Sequence, residues 1–458
     1  MRRLTAVAAS ALLLAGCASF SPDGGMAKVS DVVKERTGQS AVWQRSQADV
    51  DAASGRTSEL LKQPLTAEGA VELALLNNQG LQAKFADLGI AEADVVQAGR
   101  LKNPLFGYTR LAGAGALEID RSVMFGVLDL LAMPAASNAA RVRFEQAQYQ
   151  AAYEAVGLAS DTRRAYFDAI ADQQLVDYYR QVKSAAEASA DLARRMVEAG
   201  NFSTLDHLRQ QAFYADATSQ LARLQQQATA RRERLTRLLG LSGRQTAFEL
   251  PDRLADLPNE PVDPEDAEQT AMDKRLDVLI SRRSTEATAR TLGLTQATRV
   301  VNALEVGYQN KSQTGTPREN GYQVQVEVPL FDVGEARTAR AKAQYMQSLH
   351  RTAEVAVNAR SEVRAAYSAY RTAYDLARHY RDEVVPLRKR IADENLRRYN
   401  GMLIGVFELI ADAREQTTGV TGYVDALRDY WVADANLRTA LTGRSPGPDS
   451  SSGAESTP

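Results

Sequence analysis

Between Gly321 and Gln347 the chain reads GYQVQVEVPLFDVGEARTARAKAQYMQ, and its periodicity changes at Pro329. Tyr322, Val324, Val326 and Val328 fall on one side of the first half, and Gln323, Gln325 and Glu327 on the other. Period two marks a strand, because successive side chains leave opposite sides of the pleat. From Gly334 onward Ala, Arg, Glu and Gln dominate and no Pro occurs for about 50 residues, which predicts a long helix. A two-faced strand therefore runs directly into a very long helix. Such a strand fits a wall between lipid and a water-filled lumen, and it also fits an ordinary half-buried sheet.

The same order of elements occurs twice. Phe106-Gly107-Tyr108 matches Val306-Gly307-Tyr308 at a shift of 200 residues, and Ala165-Tyr166 matches Ala366-Tyr367 at a shift of 201. Met196 to Gly200, then Thr204-Leu205-Asp206, aligns with Arg398 to Met402, then Val406-Phe407-Glu408. Each copy reads helix, hairpin, long helix, tight break, helix, which marks a repeat architecture. The fold class is mainly α with a small β part.

The first copy covers residues 64–240. An amphipathic run capped by Thr66 carries Val71, Leu75, Leu81, Phe85, Leu88 and Ile90 toward Arg100. Strands are predicted over Leu105–Ala112 and within Ala116–Leu131, where Arg121 interrupts the apolar set. A rod follows from Ala135 to Ala199, a break at Gly200-Asn201, and a helix over Thr204–Leu239. Leu175, Val182 and Met196, with Tyr178, Ala185, Leu192 and Ala199 offset by three, form heptad series that ask for partner helices. Leu221, Leu224, Ala228, Leu235 and Leu238 continue the seam.

The second copy covers residues 265–442. It predicts a helix over Pro264–Val301, strands over Ala303–Lys311 and Gly321–Phe331, and a helix from Gly334 to Tyr399. A break at Asn400-Gly401 and a helix over Gly405–Leu441 complete it. Between the copies, residues 241–264 hold Pro251, Pro258, Pro261 and Pro264, which exclude a continuous helix. The Pro/Ser/Gly tail, residues 443–458, is expected to be disordered.

The N-terminus carries an address. Met1-Arg2-Arg3 is basic, Leu4 to Leu14 is mostly apolar, and Leu14-Ala15-Gly16-Cys17 follows. This pattern predicts a secretory signal over residues 1–16, too short in its apolar part to span a bilayer. Leu-Ala-Gly-Cys looks like a bacterial lipobox, which implies a lipid on Cys17 and, with Ala18-Ser19 next, sorting to the outer membrane. Cys17 is the only cysteine, so no intrachain disulfide exists. Residues 17–63 read as an extended lipid-anchored tether with a short helix near Val29 to Arg36. The 55 basic and 57 acidic residues nearly cancel, which argues against nucleic acid as a partner.

The lipobox, the strand-to-helix junction Val328-Pro329-Leu330-Phe331-Asp332-Val333-Gly334 and the two helix breaks together resemble the TolC-like outer-membrane efflux protein family, in its lipoprotein branch. The resemblance covers about residues 60 to 442, and Arg398 to Leu409 is especially similar to the family's second break. The junction from Leu128 to Asn138 departs from the family pattern, with Pro134 displaced. The resemblance implies a homotrimer in which each chain gives four strands to a twelve-stranded outer-membrane barrel, continued by a periplasmic helical barrel. It also implies passive conduction from a periplasmic adaptor and an inner-membrane pump. The polar series Gln323, Gln325 and Glu327 would then line the lumen, and Tyr322, Val324, Val326 and Val328 would face lipid.

By the same resemblance the helix breaks form a periplasmic tip, with Gly200, Asn201, Gly401, Met402 and Leu403 touching the adaptor. Asp206 and Glu408 occupy matching positions just after the breaks, and Asp412 lies one turn beyond Glu408. Three copies would ring a constriction with negative charge. Both acids also suit the first turn of a helix, where the dipole favours them. Tyr399 matches a family tyrosine that bonds the acid at the Asp206 position, while the family's arginine latch would fall near Ile404 and is absent. Met196, His207 and Met402 cluster near the breaks, where helix-packing Met is a commoner explanation than metal binding. No catalytic motif stands in the sequence, and no cofactor is expected beyond the lipid on Cys17. A lipid-anchored periplasmic coiled-coil scaffold or adaptor without a barrel shares the lipobox and the heptads. It would need a domain of many short strands, whereas the sequence shows four in two separated pairs.

Overall fold

The computed structural model describes residues 19–113, 115–299 and 303–444. Cys17 and most of the C-terminal tail lie outside the described residues. Of the described residues, 71% are helical and 9% lie in strands. In chain order it runs α1 (Met26–Thr37), α2 (Gln47–Leu60), α3 (Ala67–Asn77), α4 (Gln79–Ala98), β1 (Leu105–Gly113), β2 (Ala116–Gly126), α5 (Val127–Glu198) and α6 (Thr204–Leu239). The second copy gives α7 (Ala267–Lys274), α8 (Leu276–Ala297), β3 (Leu304–Gln313), β4 (Glu319–Val326), α9 (Glu335–His379), α10 (Val385–Asn400) and α11 (Val406–Thr442). These elements form two compact units, and α5 and α9 each run through both.

The first unit holds both hairpins and the helical segments next to them. Its sheet is antiparallel throughout, in the order β1-β2-β3-β4, so the two hairpins pair side by side. Hydroxyls lock α8 to α9: Thr285 donates to the Ser348 carbonyl at 3.1 Å and meets the Thr352 hydroxyl at 2.8 Å.

The second unit holds the aromatic core. Tyr370, Tyr374 and Tyr430 are fully buried and pack ring to ring, with centroids 5.6 and 5.8 Å from Tyr430. Phe167 stacks on Trp431 at 5.2 Å. Residues 241–264, expected only as a non-helical connector, are a packed strap. Phe248, Leu254 and Leu257 are buried in the core. The strap's backbone groups, which no helix or sheet satisfies, find side chains instead. Trp431 donates to the Ala255 carbonyl at 3.0 Å, Tyr374 to the Asn259 carbonyl at 2.6 Å, and the Val262 N–H donates to the Tyr370 hydroxyl at 2.8 Å.

Several sequence expectations change. The tether holds the expected short helix, as α1, and a second one, α2, that was not expected, and Val29 and Val33 of α1 are buried. The run from Thr66 toward Arg100 breaks at Asn78, whose side chain accepts from the Leu81 N–H at 3.0 Å and so caps α4. Ile90, read as core, is 64% exposed. The helix read over Pro264–Val301 breaks at Arg275, the repeat's counterpart of Asn78. Both break residues have φ −68°, with ψ 109° and 128°. Neither is Gly or Pro, so local signals did not mark them.

The helix α5 begins at the end of β2 and carries Pro134 inside it, eight residues earlier than the predicted start at Ala135. The strand β4 ends at Val326, short of Phe331, because Pro329 has no N–H to pair. The long helix from Gly334 is interrupted by a π-turn over Tyr380–Val384, just before Pro386. Past residue 180, the buried stripe of α5 is Ala186 and Ala193. The series Ala185, Leu192 and Ala199 lies beside that stripe and is exposed.

On α5, Asp172 is a buried carboxylate, 1% exposed. Gln227 donates to one of its oxygens at 3.1 Å, and Arg231 lies 3.6 Å from the other while bonding Asp168. Burial pushes the Asp172 carboxyl above its ordinary range, more than Arg231 and Gln227 pull it down. A carboxyl whose folded-state pKa is raised favours the fold at acid pH, and that contribution is lost as pH rises through the folded value. Asp172→Asn is therefore expected to match or exceed the native protein in thermal stability at pH 7.5. The advantage should shrink steadily toward pH 4, as read by circular dichroism melts.

Candidate functional site: a two-faced sheet and two matched helix breaks

The register of the sheet assigns its faces, because directly paired residues point the same way. Val306↔Val324, Tyr308↔Tyr322 and Val123↔Tyr308 place Phe106, Val123, Phe125, Val306, Tyr308, Tyr322, Val324 and Val326 on one face. Tyr322 is 89% exposed there. Gly307↔Gln323, Glu305↔Gln325 and Asp120↔Lys311 place Glu118, Asp120, Ser122, Gln309, Lys311, Gln323 and Gln325 on the other. Lys311 pairs with Glu118 at 2.6 Å on that polar face. The alternation read in one strand thus extends across four, with Leu105 and Leu111 of β1 and Met124 of β2 as apolar exceptions on the polar face. Glu327 and Val328 lie just beyond β4 and are exposed.

The polar residue that spoiled the apolar pattern of β2 has a place. Arg121 donates to Asn310 at 3.0 Å, and Asn310 and Tyr308 donate to Asn320 at 2.7 and 2.8 Å. These residues lie toward the hairpin-turn edge, so the apolar face gives way to polar side chains there. The repeated glycines also gain a reason. A Cβ on Gly107 would stand 2.4 Å from the Ser122 hydroxyl, and one on Gly307 2.2 Å from the Met124 sulfur and 2.5 Å from the Val123 carbonyl. Both glycines make room for β2, which lies between their strands.

The two helix breaks share one backbone design. At the first, the Gly200 N–H bonds the Val197 carbonyl and the Asn201 N–H the Met196 carbonyl, both at 2.9 Å. At the second, Met402 bonds Tyr399 and Leu403 bonds Arg398, again at 2.9 Å. This is the Schellman closure, which needs a left-handed residue at its turn. Gly200 supplies it with φ +74°, whereas Met402 stands there with φ +56°. Met402 is 93% exposed and Leu403 77% exposed, so an apolar pair is held outward on a strained backbone. Met402→Gly is expected to leave the turn unchanged and raise stability by about 1 kcal/mol, measurable by denaturant unfolding.

The acids behave differently from one another. Ser203 caps α6: its hydroxyl accepts from the Asp206 N–H at 3.1 Å and donates to the Asp206 carboxylate at 2.7 Å. Arg209 bonds the same carboxylate at 3.1 Å. Asp206 thus sits in the first helical turn, fully engaged. At the second break Gly405 is the N-cap, with no side-chain bond, and Glu408 is exposed. Asp412 is half-buried and Tyr399 is 40% exposed. Among the described residues no hydrogen bond joins Tyr399 to Asp206. Met196 and His207 are half-buried, and the described residues contain no group of three or more His, Cys, Asp or Glu placed to hold a metal ion. Among the described helices, none is long and apolar enough to cross a membrane.

The fold is that of bacterial outer-membrane channels. Over 82% of this chain it superimposes on the outer membrane protein VceC from Vibrio cholerae, with TM-score 0.69, 15% identity and 96% of that chain covered. The open state of the Neisseria gonorrhoeae MtrE outer membrane channel gives TM-score 0.67, 15% identity and 82% and 88% coverage. A membrane protein from Pseudomonas aeruginosa gives TM-score 0.71, 17% identity and 82% and 92% coverage. Residues 70–241 match the family model described as outer membrane efflux protein, in line with the sequence resemblance. No protein of curated function matches the chain by sequence.

Proposed function

We propose that this chain is the exit duct of a tripartite efflux system: a passive outer-membrane conduit fed by a periplasmic adaptor and an inner-membrane pump. The observation that carries the reading is the sheet. It has one apolar and one polar face, and its outer strands β1 and β4 have no further strand to pair with among the described residues. In lipid, open strand edges are untenable, so a spanning sheet must close. Three copies of four strands make a twelve-stranded barrel with no free edge and an even strand number. Gln323, Gln325 and Glu327 then line the lumen, and Tyr322, Val324, Val326 and Val328 meet lipid. Cys17 carries the lipid anchor.

The chain's own part is conduction and contact. Gly200, Asn201, Gly401, Met402 and Leu403 form the adaptor-facing tip, and threefold copies of Asp206, Glu408 and Asp412 favour cations at the constriction. In the assembled resting tip Tyr399 would reach Asp206, a bond the single chain does not make, and latch it. Chemical crosslinking of outer-membrane fractions is expected to show a trimer, and the purified protein is expected to open conducting channels in planar bilayers. A stable single-chain species without conductance would overturn the duct. In the same bilayers, Tyr399→Phe with Asp206→Ala should raise single-channel conductance, and an unchanged value would remove the latch alone.

A further inference from the structure

The two faces of the sheet differ in charge as well as in polarity. Within the strands, Glu118, Asp120, Glu305, Lys311 and Glu319 all stand on the polar face. The apolar face carries no acid. Its only charged residues are Arg110 of β1 and Arg121 of β2, both in the half nearer the hairpin turns. They are diagonal neighbours across the two strands, with backbones about 7–8 Å apart, so their long side chains can reach one point. Two cations placed so close, with no acid beside them, repel each other, and a bound anion would relieve that repulsion.

The rows of paired residues set their level. Tyr308 and Tyr322 face each other in one row, with rings 6.3 Å apart. Arg121 lies in the next row toward the turns, beside Tyr108 and Asn310, and Arg110 in the row after that. Tyrosines mark the interfaces of a membrane barrel, and a cation strongly disfavoured in mid-membrane is tolerated at that level. The arginine stems can lie along the apolar wall while their heads stand among lipid headgroups. Arg121 is held ready there. It donates to Asn310 at 3.0 Å, which is fixed in turn by its bond to Asn320 at 2.7 Å. Its other N–H groups have no partner among the described residues, and neither has the exposed side chain of Arg110. A guanidinium fork with free donors matches the oxygens of a phosphate.

The helices fix which leaflet is meant. The chain enters β1 from α4 and leaves β2 into α5, so the turn lies at the far end of the hairpin. With the helices in the periplasm, the turns reach the outer leaflet, where the glycolipid headgroup carries phosphates on its sugars. We propose that Arg110 and Arg121, backed by Asn310, bind a headgroup phosphate of the outer-leaflet glycolipid at the rim of the barrel. This site presupposes the duct and adds to it a lipid that the outer wall recognises.

Native mass spectrometry of the full lipoprotein in detergent reads bound lipid directly. Diphosphorylated lipid A is expected to bind about tenfold more tightly than lipid A stripped of its phosphates. Arg110→Gln with Arg121→Gln should weaken the phosphorylated lipid about tenfold and leave the stripped lipid unchanged. Arg110→Gln alone, which loses no bond within the protein, should give part of that loss in a folded trimer. Lys311→Gln, which removes a cation from the opposite face near the same level, should change nothing. Displacement of the lipid by millimolar inorganic phosphate would overturn the lipid assignment in favour of a free-anion site. Equal binding of the two lipids, or undiminished binding in the double variant, would overturn the site while trimer and conductance stood. A native chain that formed neither trimer nor channel would overturn the duct and the site together.

Discussion

Val324→Arg is expected to abolish assembly in the outer membrane, while Gln323→Arg, one residue away, is expected to leave it intact. The two positions are on opposite faces of β4: Val324 pairs with Val306 on the apolar face and Gln323 with Gly307 on the polar one. A cation on the lipid face of a barrel costs about 2–4 kcal/mol at mid-membrane, and a trimer would suffer it three times. On the polar face the guanidinium stays in water beside residues such as Glu305 and Gln325. Heat-modifiable migration of membrane fractions reads the result. If both substitutions behaved alike, the assignment of faces, and the barrel with it, would be lost.

Arg275→Ala is expected to lower stability by about 3–5 kcal/mol. Arg275 is 1% exposed at the break between α7 and α8. It forms an ion pair with Glu362 of α9 and donates to the Ala359 carbonyl at 3.3 Å. Removing it takes the donor from the carbonyl of buried Ala359 and the counter-charge from Glu362, whose side chain is 30% exposed. Pairing the change as Arg275→Met with Glu362→Gln removes the stranded charge and should recover more than half of the loss. Urea unfolding of the two variants decides this. A loss below about 1 kcal/mol for the single change would show that the pair is solvated, as surface pairs are.

The strands and most helices were legible because each carries its own period. The breaks at Gly200 and Gly401 were legible because glycine interrupts an otherwise uniform helical composition. The breaks at Asn78 and Arg275 were not. Asn78 is held by its bond to the Leu238 carbonyl at 3.1 Å and Arg275 by Glu362 and Ala359, partners 160, 87 and 84 residues away. The same holds for the strap, whose prolines excluded a helix but could not announce Tyr370, Tyr374 and Trp431 as its partners. Of the candidate tip, the sequence indicated the matched positions, while the αL strain at Met402 and the Ser203 clasp on Asp206 needed coordinates.

Local periodicity and repetition were enough to establish a doubled module of hairpin and long helices, because those signals are written within a few neighbouring residues. The tertiary structure alone decided where the long helices kink, which stripe of α5 is buried, and how the two hairpins merge into one sheet. Those outcomes depend on contacts between residues far apart in the chain, whose energies no short window of sequence contains.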